Sequence, residues 1–538
     1  MLAVLLDRNA GPGDHDEWSA PDPAPAEGGG MVFVTLLAGT LLVFNAAVIR
    51  DTSLTELHST WRYWDDMAVA AGRFLDGRGH FPNAPRDRAS LKQAAQDLQR
   101  IVEAATLSRG TRAWEFWRVL PPRVFRAWTT RGDVARFEDA GRSLVLGWAM
   151  WWIGGVSPYL LLWLGLLWTL PVILWACAEL GAAGRKVTGP ALIGWMAVSP
   201  YVVETLTLPH SAVAFYLGAL LVLVALSAYA VGGHDRSRGG LLARVLAAGC
   251  VFGVSAVARS STLLLLPGFA LALHWASRTV LPERESTLRR AGATVVLLLL
   301  FITPYLALRP PAAHNVWTSL WEGLGDFGSD RGYSWYDTDA KRVLEGAGLV
   351  PFADPKDVSE DHERHFRDRL MRDLRSHPAW FAGILARRLV ATVGLTHLLP
   401  WGPVDGQSLR APRFHYKYTT PVDWFGIGEA RLEVPVPLLW LPASLLLAVF
   451  LGSRHGRSAP RRRRAEHLLM LTPVALGALG LPVLVTTAGG VETQAFAVVY
   501  FLAAGLLLEE VRATAQAFAA TRRARAASTP APGIPRQT

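Results

Sequence analysis

Ten apolar runs recur along the chain, at 31–49, 159–180, 190–205, 211–232, 244–258, 261–279, 291–308, 434–453, 467–486 and 494–510. Each approaches the roughly 20 residues that a helix needs to cross a hydrocarbon core. A soluble domain has no use for so many such runs. The composition agrees: 51% of the 538 residues are hydrophobic, 21 are Trp, and the mean hydropathy is +0.24. The expectation is an all-α polytopic integral membrane protein with about ten transmembrane helices. One more apolar stretch, Ser143 to Gly155, is interrupted by Gly154, Gly155 and Pro158. It is expected as a re-entrant or interfacial piece, because counting it as a span inverts every later basic loop.

The net charge of +10 raises nucleic acid as a partner, but the placement of the basic residues argues against it. Arg185-Lys186, Arg236, Arg238, Arg289-Arg290, Arg461 to Arg464 and Arg522-Arg523 all lie beside apolar runs. That is how cytoplasmic loops are marked under the positive-inside rule. With both termini cytoplasmic, every basic loop faces inward and two large regions, 50–142 and 309–433, face outward. Five parts follow: a disordered cytoplasmic N-terminus (1–30), a transmembrane module (31–308) that includes the extracytoplasmic loop 50–142, a second extracytoplasmic region (309–433), C-terminal transmembrane helices (434–510) and a basic cytoplasmic tail (511–538). The expected location is the cell membrane, with attraction to anionic headgroups. The two cysteines, Cys177 and Cys250, lie inside apolar runs and imply neither a disulfide framework nor a cysteine metal site. No phosphate-binding glycine fingerprint occurs between a strand and a helix.

Asp65 and Asp66 follow the first apolar run closely. Paired carboxylates beside a membrane are costly to desolvate. Either suits a general base that takes a proton from an acceptor hydroxyl, and together they suit a divalent cation, Mg or Mn. The plain alternative is a helix N-cap. Met67, Ala70, Ala71, Phe74 and Leu75 then share one face, as in a short amphipathic helix on the membrane surface. Leu91, Ala94, Leu98, Ile101, Val102 and Ala105 predict a further helix.

The second outer region opens on Trp321, Asp326, Asp330, Trp335, Asp337 and Asp339. Aromatic rings beside carboxylates suit a sugar, the rings stacking on its apolar face and the acids accepting from its hydroxyls. An interfacial aromatic belt is the alternative. Arg387-Arg388 interrupts the apolar stretch 379–399, which predicts an interfacial helix with arginines that snorkel or hold an anion. Arg259, between two apolar runs, either snorkels or binds a lipid phosphate. His210 is expected as structural, with phosphate contact the alternative. His362 and His365, lacking a third ligand, are expected to be solvent-exposed.

An N-terminal membrane helix followed by aromatic-Asp-Asp (Trp64-Asp65-Asp66) and an Ala-rich helix with Ala68, Ala71 and Gly72 resembles the start of the C-type (GT-C) glycosyltransferases. These polytopic enzymes use polyprenyl-phosphate sugars; protein O-mannosyltransferases and lipid A aminoarabinose transferases are examples. The resemblance implies a GT-C-like fold, with the catalytic base at Asp65 or Asp66. Ala258-Arg259-Ser260-Ser261-Thr262 through Pro267 is similar to a helix junction of bacterial members, with Ser260-Ser261 in place of their Pro-Glu. His314-Asn315-Val316-Trp317, Gly323 to Phe327 and Gly332 to Asp337 resemble a motif of membrane proteins grouped with these enzymes, whose later His-Pro-x-Trp recurs as His377-Pro378-Ala379-Trp380. Glu492 stands where members carry Glu-x-Arg-Tyr, but Gln494 and Ala495 replace the last two.

The resemblance implies a polyprenyl-phosphate sugar as donor and an envelope glycan, lipid or protein as acceptor. Substrate contacts are expected from Arg259, Trp321, Asp326, Trp335, Asp337, Arg388 and Glu492. The competing readings are a transporter or lipid flippase, and a non-catalytic envelope-assembly protein on the same fold.

Overall fold

The computed structural model describes residues 36–37, 39–40, 63–75, 88–108, 117–126, 128, 141–198, 213–232, 237–281, 286–308, 316–334, 336–352, 358–395, 460–485 and 495–528. Among them every regular element is a helix, and one isolated bridge joins Leu120 to Val156. The α-helices are α1 (Tyr63–Leu75), α2 (Arg88–Leu107), α3 (Gly141–Ile153), α4 (Leu160–Ala182), α5 (Thr188–Val198), α6 (Val213–Val231), α7 (Arg238–Ala258), α8 (Leu266–Val280), α9 (Thr287–Leu308), α10 (Val316–Gly323), α11 (Asp337–Gly346), α12 (Glu360–Ser376), α13 (Pro378–Leu395), α14 (Pro460–Leu484) and α15 (Ala497–Ser528).

Among the described residues six stretches are long and apolar enough to cross a membrane: Trp163–Ala182, Ala214–Val231, Arg238–Ala258, Ser260–Arg278, Thr287–Leu308 and Glu466–Leu484. They are not equivalent. In α6, 94% of the span is buried, and the helix packs on α4, α7, α8 and α14. In α9 only 17% is buried, and Val295, Leu299 and Leu306 face outward. A helix this apolar on its open side suits a lipid boundary. Close packing replaces hydrophobic contrast between such helices. The Gly249-to-Gly253 face of α7 lies against the backbone of α9 at Phe301 and at Pro304-Tyr305. Phe252, Phe269 and Phe301 meet there, with centroids 4.6 to 5.2 Å apart.

α3 has 13 residues, about 20 Å of helix, too short for a span. Trp148, Trp151 and Trp152 are exposed on it, as side chains at an aqueous interface are. The helix ends at Gly154, whose φ of +73° favours glycine. Of the first apolar run, only residues 36, 37, 39 and 40 are described, and they are helical. The runs at 190–205 and 494–510 are represented by α5, ending at Val198, and by α15, which continues unbroken to Ser528. The tail boundary expected at 510 therefore falls inside a helix. The run at 434–453 lies outside the described residues.

Two polar ends frame the bundle. At one, Arg244 Nε donates to Glu179 Oε1 (2.6 Å) and its guanidinium lies 4.5 Å from the Tyr229 ring centre. Arg185 pairs with Glu466 (2.8 Å), and the Val187 N–H donates to Glu509 (2.7 Å). At the other end α7 terminates on Arg259, an extended residue (φ −146°, ψ 104°) that caps it by donating its N–H to Ser255 O. A 3-10 turn, Ser260–Leu265, then leads into α8. α1 and α3 pack at this end.

A second core forms from Trp321, Leu324, Phe327, Tyr333, Leu344, Phe352, Phe366 and Ile384 on and between α10 to α13. It is joined to the bundle by Arg388 of α13. This side chain is fully buried, with Nη2 donating to Gly323 O (2.6 Å) and Nη1 to Val483 O (3.2 Å).

Candidate functional site

The helix α1 begins at Tyr63, so Asp65 and Asp66 sit inside its first turn. Neither is the residue before the helix, which corrects the cap expectation; their charge still favours the positive end of the helix dipole. The expected helix is present, with Met67, Ala70 and Ala71 buried and Phe74 and Leu75 packed on the core, but burial extends beyond that face. Trp64, Met67, Ala68, Val69, Ala70 and Ala71 are all buried, because the small side chains let α2 and α3 approach from different sides.

The two acids have different surroundings. Asp66 is 3% exposed, and its Oδ2 lies 3.2 Å from Nη2 of Arg142, also 3% exposed. The approach is close but out of line for a hydrogen bond, so charge attraction dominates. Arg142 is the second residue of α3, and its neighbour Gly141 abuts the Val257 carbonyl at the end of α7. A Cβ at residue 141 has no room there. Gly147 faces Ala70 and Arg73 farther along, so α1 and α3 run side by side in the same direction. Asp65 is partly exposed. One turn of α1, the start of α3 and the Arg259 junction therefore converge at one end of the bundle. Sequence reasoning missed Arg142. Its signal was a charged residue bordering the apolar stretch 143–155.

Asp66 already faces a guanidinium, and among the described residues no three His, Cys, Asp or Glu side chains are grouped to hold a metal ion.

The outer-region candidates divide differently. Trp321 is fully buried, its ring 5.1 Å from Phe366 and 5.9 Å from Tyr333. It is a core residue and offers no face to a sugar, a correction to the stacking role. Asp337 opens α11 and is partly exposed. Asp339 accepts from Ser334 Oγ and pairs with Arg342 (3.0 Å). Asp326 ends a 3-10 turn, and nothing is described of its side chain. Trp335, Glu492 and His210 lie outside the described residues. Arg388 spends two nitrogens on main-chain carbonyls, which makes it a bracket between the two cores; it neither snorkels nor reaches an anion through those nitrogens.

His362 is buried, contrary to the exposure expected for it. Its Nδ1 accepts from the Ser359 N–H (3.1 Å), Ser359 Oγ accepts from the His362 N–H (3.3 Å), and Nε2 lies 2.8 Å from Val350 O. These partners require Nε2 to carry the proton, and the pair closes a capping box on α12. His365 is partly exposed. Tyr333 donates to Asp373 (2.7 Å). Burial, then that bond, push its phenol well above the usual range, so it remains a donor. Compared with protein-family models, curated proteins and solved structures, the chain matches none.

Proposed function

We propose that the chain is a C-type membrane glycosyltransferase with about ten spans, moving a sugar from a polyprenyl-phosphate donor to a hydroxyl on an extracytoplasmic acceptor with inversion. The bundle end that holds Asp65, Asp66 and Arg259 faces outward in this reading, and the end that holds Arg185 and Glu466 faces the cytoplasm. Asp65 is the general base. Its carboxylate takes the acceptor O–H proton as the oxygen attacks the anomeric carbon. The bond from that carbon to the phosphate oxygen breaks, and its electron pair leaves with the polyprenyl phosphate. Arg259 meets the phosphate, where a guanidinium matches both charge and geometry. Asp66 is not a second base; paired with Arg142, it fixes α1 against α3 and so positions Asp65.

The observation that carries this reading is the separation of adjacent acids, one buried against Arg142 and one partly exposed. The sequence resemblance supplies the reaction class. The test is transfer from radiolabelled polyprenyl-phosphate sugars by membranes that contain the full chain. Asp65→Asn is expected to lower transfer by about a hundredfold to ten-thousandfold, the usual contribution of a general base, with protein yield unchanged. Near-normal turnover in Asp65→Asn would remove Asp65 from the mechanism.

A further inference from the structure

The second core carries an open cleft of about 1000 Å3. That is at the upper end of the roughly 300–1,000 Å3 of small-ligand sites, with room for more than one sugar ring. One wall is the face of α12 on which His365, Asp368, Arg369 and Arg372 recur at helical spacing. Asp330 and Arg331 come from the turn before α11, and Asp373 from farther along α12. Val343, Gly346 and Ala347 at the end of α11 form the opposite, smaller wall.

The charges balance. Among the lining residues Asp330, Asp368 and Asp373 match Arg331, Arg369 and Arg372 in number, and Asp368 also accepts from Arg367 Nε (2.9 Å). His365 adds none at neutral pH: burial, then the guanidiniums of Arg369 and Arg372, hold its imidazole below the usual value. Several of these groups are already oriented. Arg369 Nη2 donates to Arg331 O (3.0 Å), and its guanidinium lies 5.3 Å from the Tyr333 ring centre. Arg331 lies 5.1 Å from the Trp380 ring centre, and Asp373 accepts from Tyr333. A densely polar cleft without net charge repels a phosphate about as much as it attracts one. It suits a chain of hydroxyls, which donate to carboxylates and accept from guanidiniums. Val343 and Ala347 add an apolar strip for the C–H face of a ring.

We infer that this cleft binds an uncharged oligosaccharide stretch of the acceptor. Its acceptor role rests on the glycosyltransferase reading; oligosaccharide binding itself does not. The inference goes beyond the base and phosphate contacts above by naming the acceptor class and where it is held. Gly346 provides a clean block. A Cβ there meets nothing within 4 Å, and the residue has an ordinary helical backbone, so Gly346→Trp fills the cleft without disturbing the core.

The test is calorimetric titration of the full chain in lipid nanodiscs, which avoids sugar-headed detergents. The probes are mannotetraose, cellotetraose, tetragalacturonate and inorganic phosphate. Binding of at least one neutral tetrasaccharide is expected, weakened at least about tenfold, or 1.4 kcal/mol, by Gly346→Trp at unchanged melting temperature. Asp65→Asn is expected to bind as the parent does. The inference is overturned if neither neutral probe binds, if an anionic probe binds more tightly, or if Gly346→Trp leaves affinity unchanged. Neutral binding in a chain without transferase activity keeps the cleft and removes the catalytic reading. Transfer in Gly346→Trp with an unchanged acceptor KM does the reverse.

Discussion

Asp66 and Arg142 hold opposite charges where water cannot reach either. Such a pair contributes little net stability when intact, because desolvation offsets attraction, but removal of one partner leaves a buried charge uncompensated. Asp66→Asn is therefore expected to cost about 3–5 kcal/mol. Asp65→Asn, at a partly exposed position, is expected to stay within about 0.5 kcal/mol. Thermal unfolding of the solubilised chain separates them. The double variant Asp66→Asn with Arg142→Gln should cost less than the sum of its singles, the coupling expected of residues in contact. Equal melting temperatures for the two single Asn variants would mean that the pair is not buried as described. The contrast also explains why activity data on Asp66 need a stability control.

At α10, a distant segment supplies acceptors for the first turn. The N–H groups of Trp317 and Thr318 in its first turn donate to the Glu363 carboxylate (2.8 and 2.9 Å), as does the Thr318 hydroxyl (2.7 Å). Glu363 lies on α12, some 45 positions away along the chain. Glu363→Ala leaves these donors without their acceptor and is expected to cost about 1–3 kcal/mol in thermal unfolding; a smaller cost for Glu363→Gln fits, because one oxygen remains. An unchanged melting temperature in Glu363→Ala would show that water replaces the carboxylate. This cap was not legible in the sequence, since nothing in Asp361-His362-Glu363-Arg364 distinguishes an acid that turns inward from its solvated neighbours. Apolar periodicity was legible: Leu98 and Val102 are buried on α2 as their spacing predicted. The Arg259 junction was legible as a charge between two apolar runs. Trp321 was misread because an aromatic beside acids looks alike in a core and in a sugar site, and only packing against Phe366 decides it. Arg142 escaped notice because pairing with Asp66 spans two helices separated by more than sixty positions, a distance over which sequence carries no register.

The assembled bundle makes its own argument about orientation. Following α4 and α6 to their C-terminal ends, and α7 and α14 to their N-terminal ends, leads to the same polar end, the one with Glu179, Arg185, Arg244 and Glu466. In sequence this end is flanked by Arg236, Arg238 and the run Arg461 to Arg464. The opposite end carries α1, α3, the Arg259 junction and, through Arg388, the second core. Both candidate sites therefore lie at the same end of the bundle, the end that the positive-inside rule predicts to face outward, as the proposed transfer requires. Cysteine scanning tests this in a background without Cys177 and Cys250. Suitable positions are Ser108 and Glu345 on the outer regions and Gln516 beyond the other end, all exposed. Ser359 is avoided because its side chain caps α12. An impermeant thiol reagent added to intact cells is expected to label Ser108→Cys and Glu345→Cys, and to label Gln516→Cys only after the membrane is opened. Labelling of Gln516→Cys in intact cells, with Ser108→Cys and Glu345→Cys protected, would turn the bundle over. It would place the Asp65 carboxylate in the cytoplasm and exclude an extracytoplasmic acceptor.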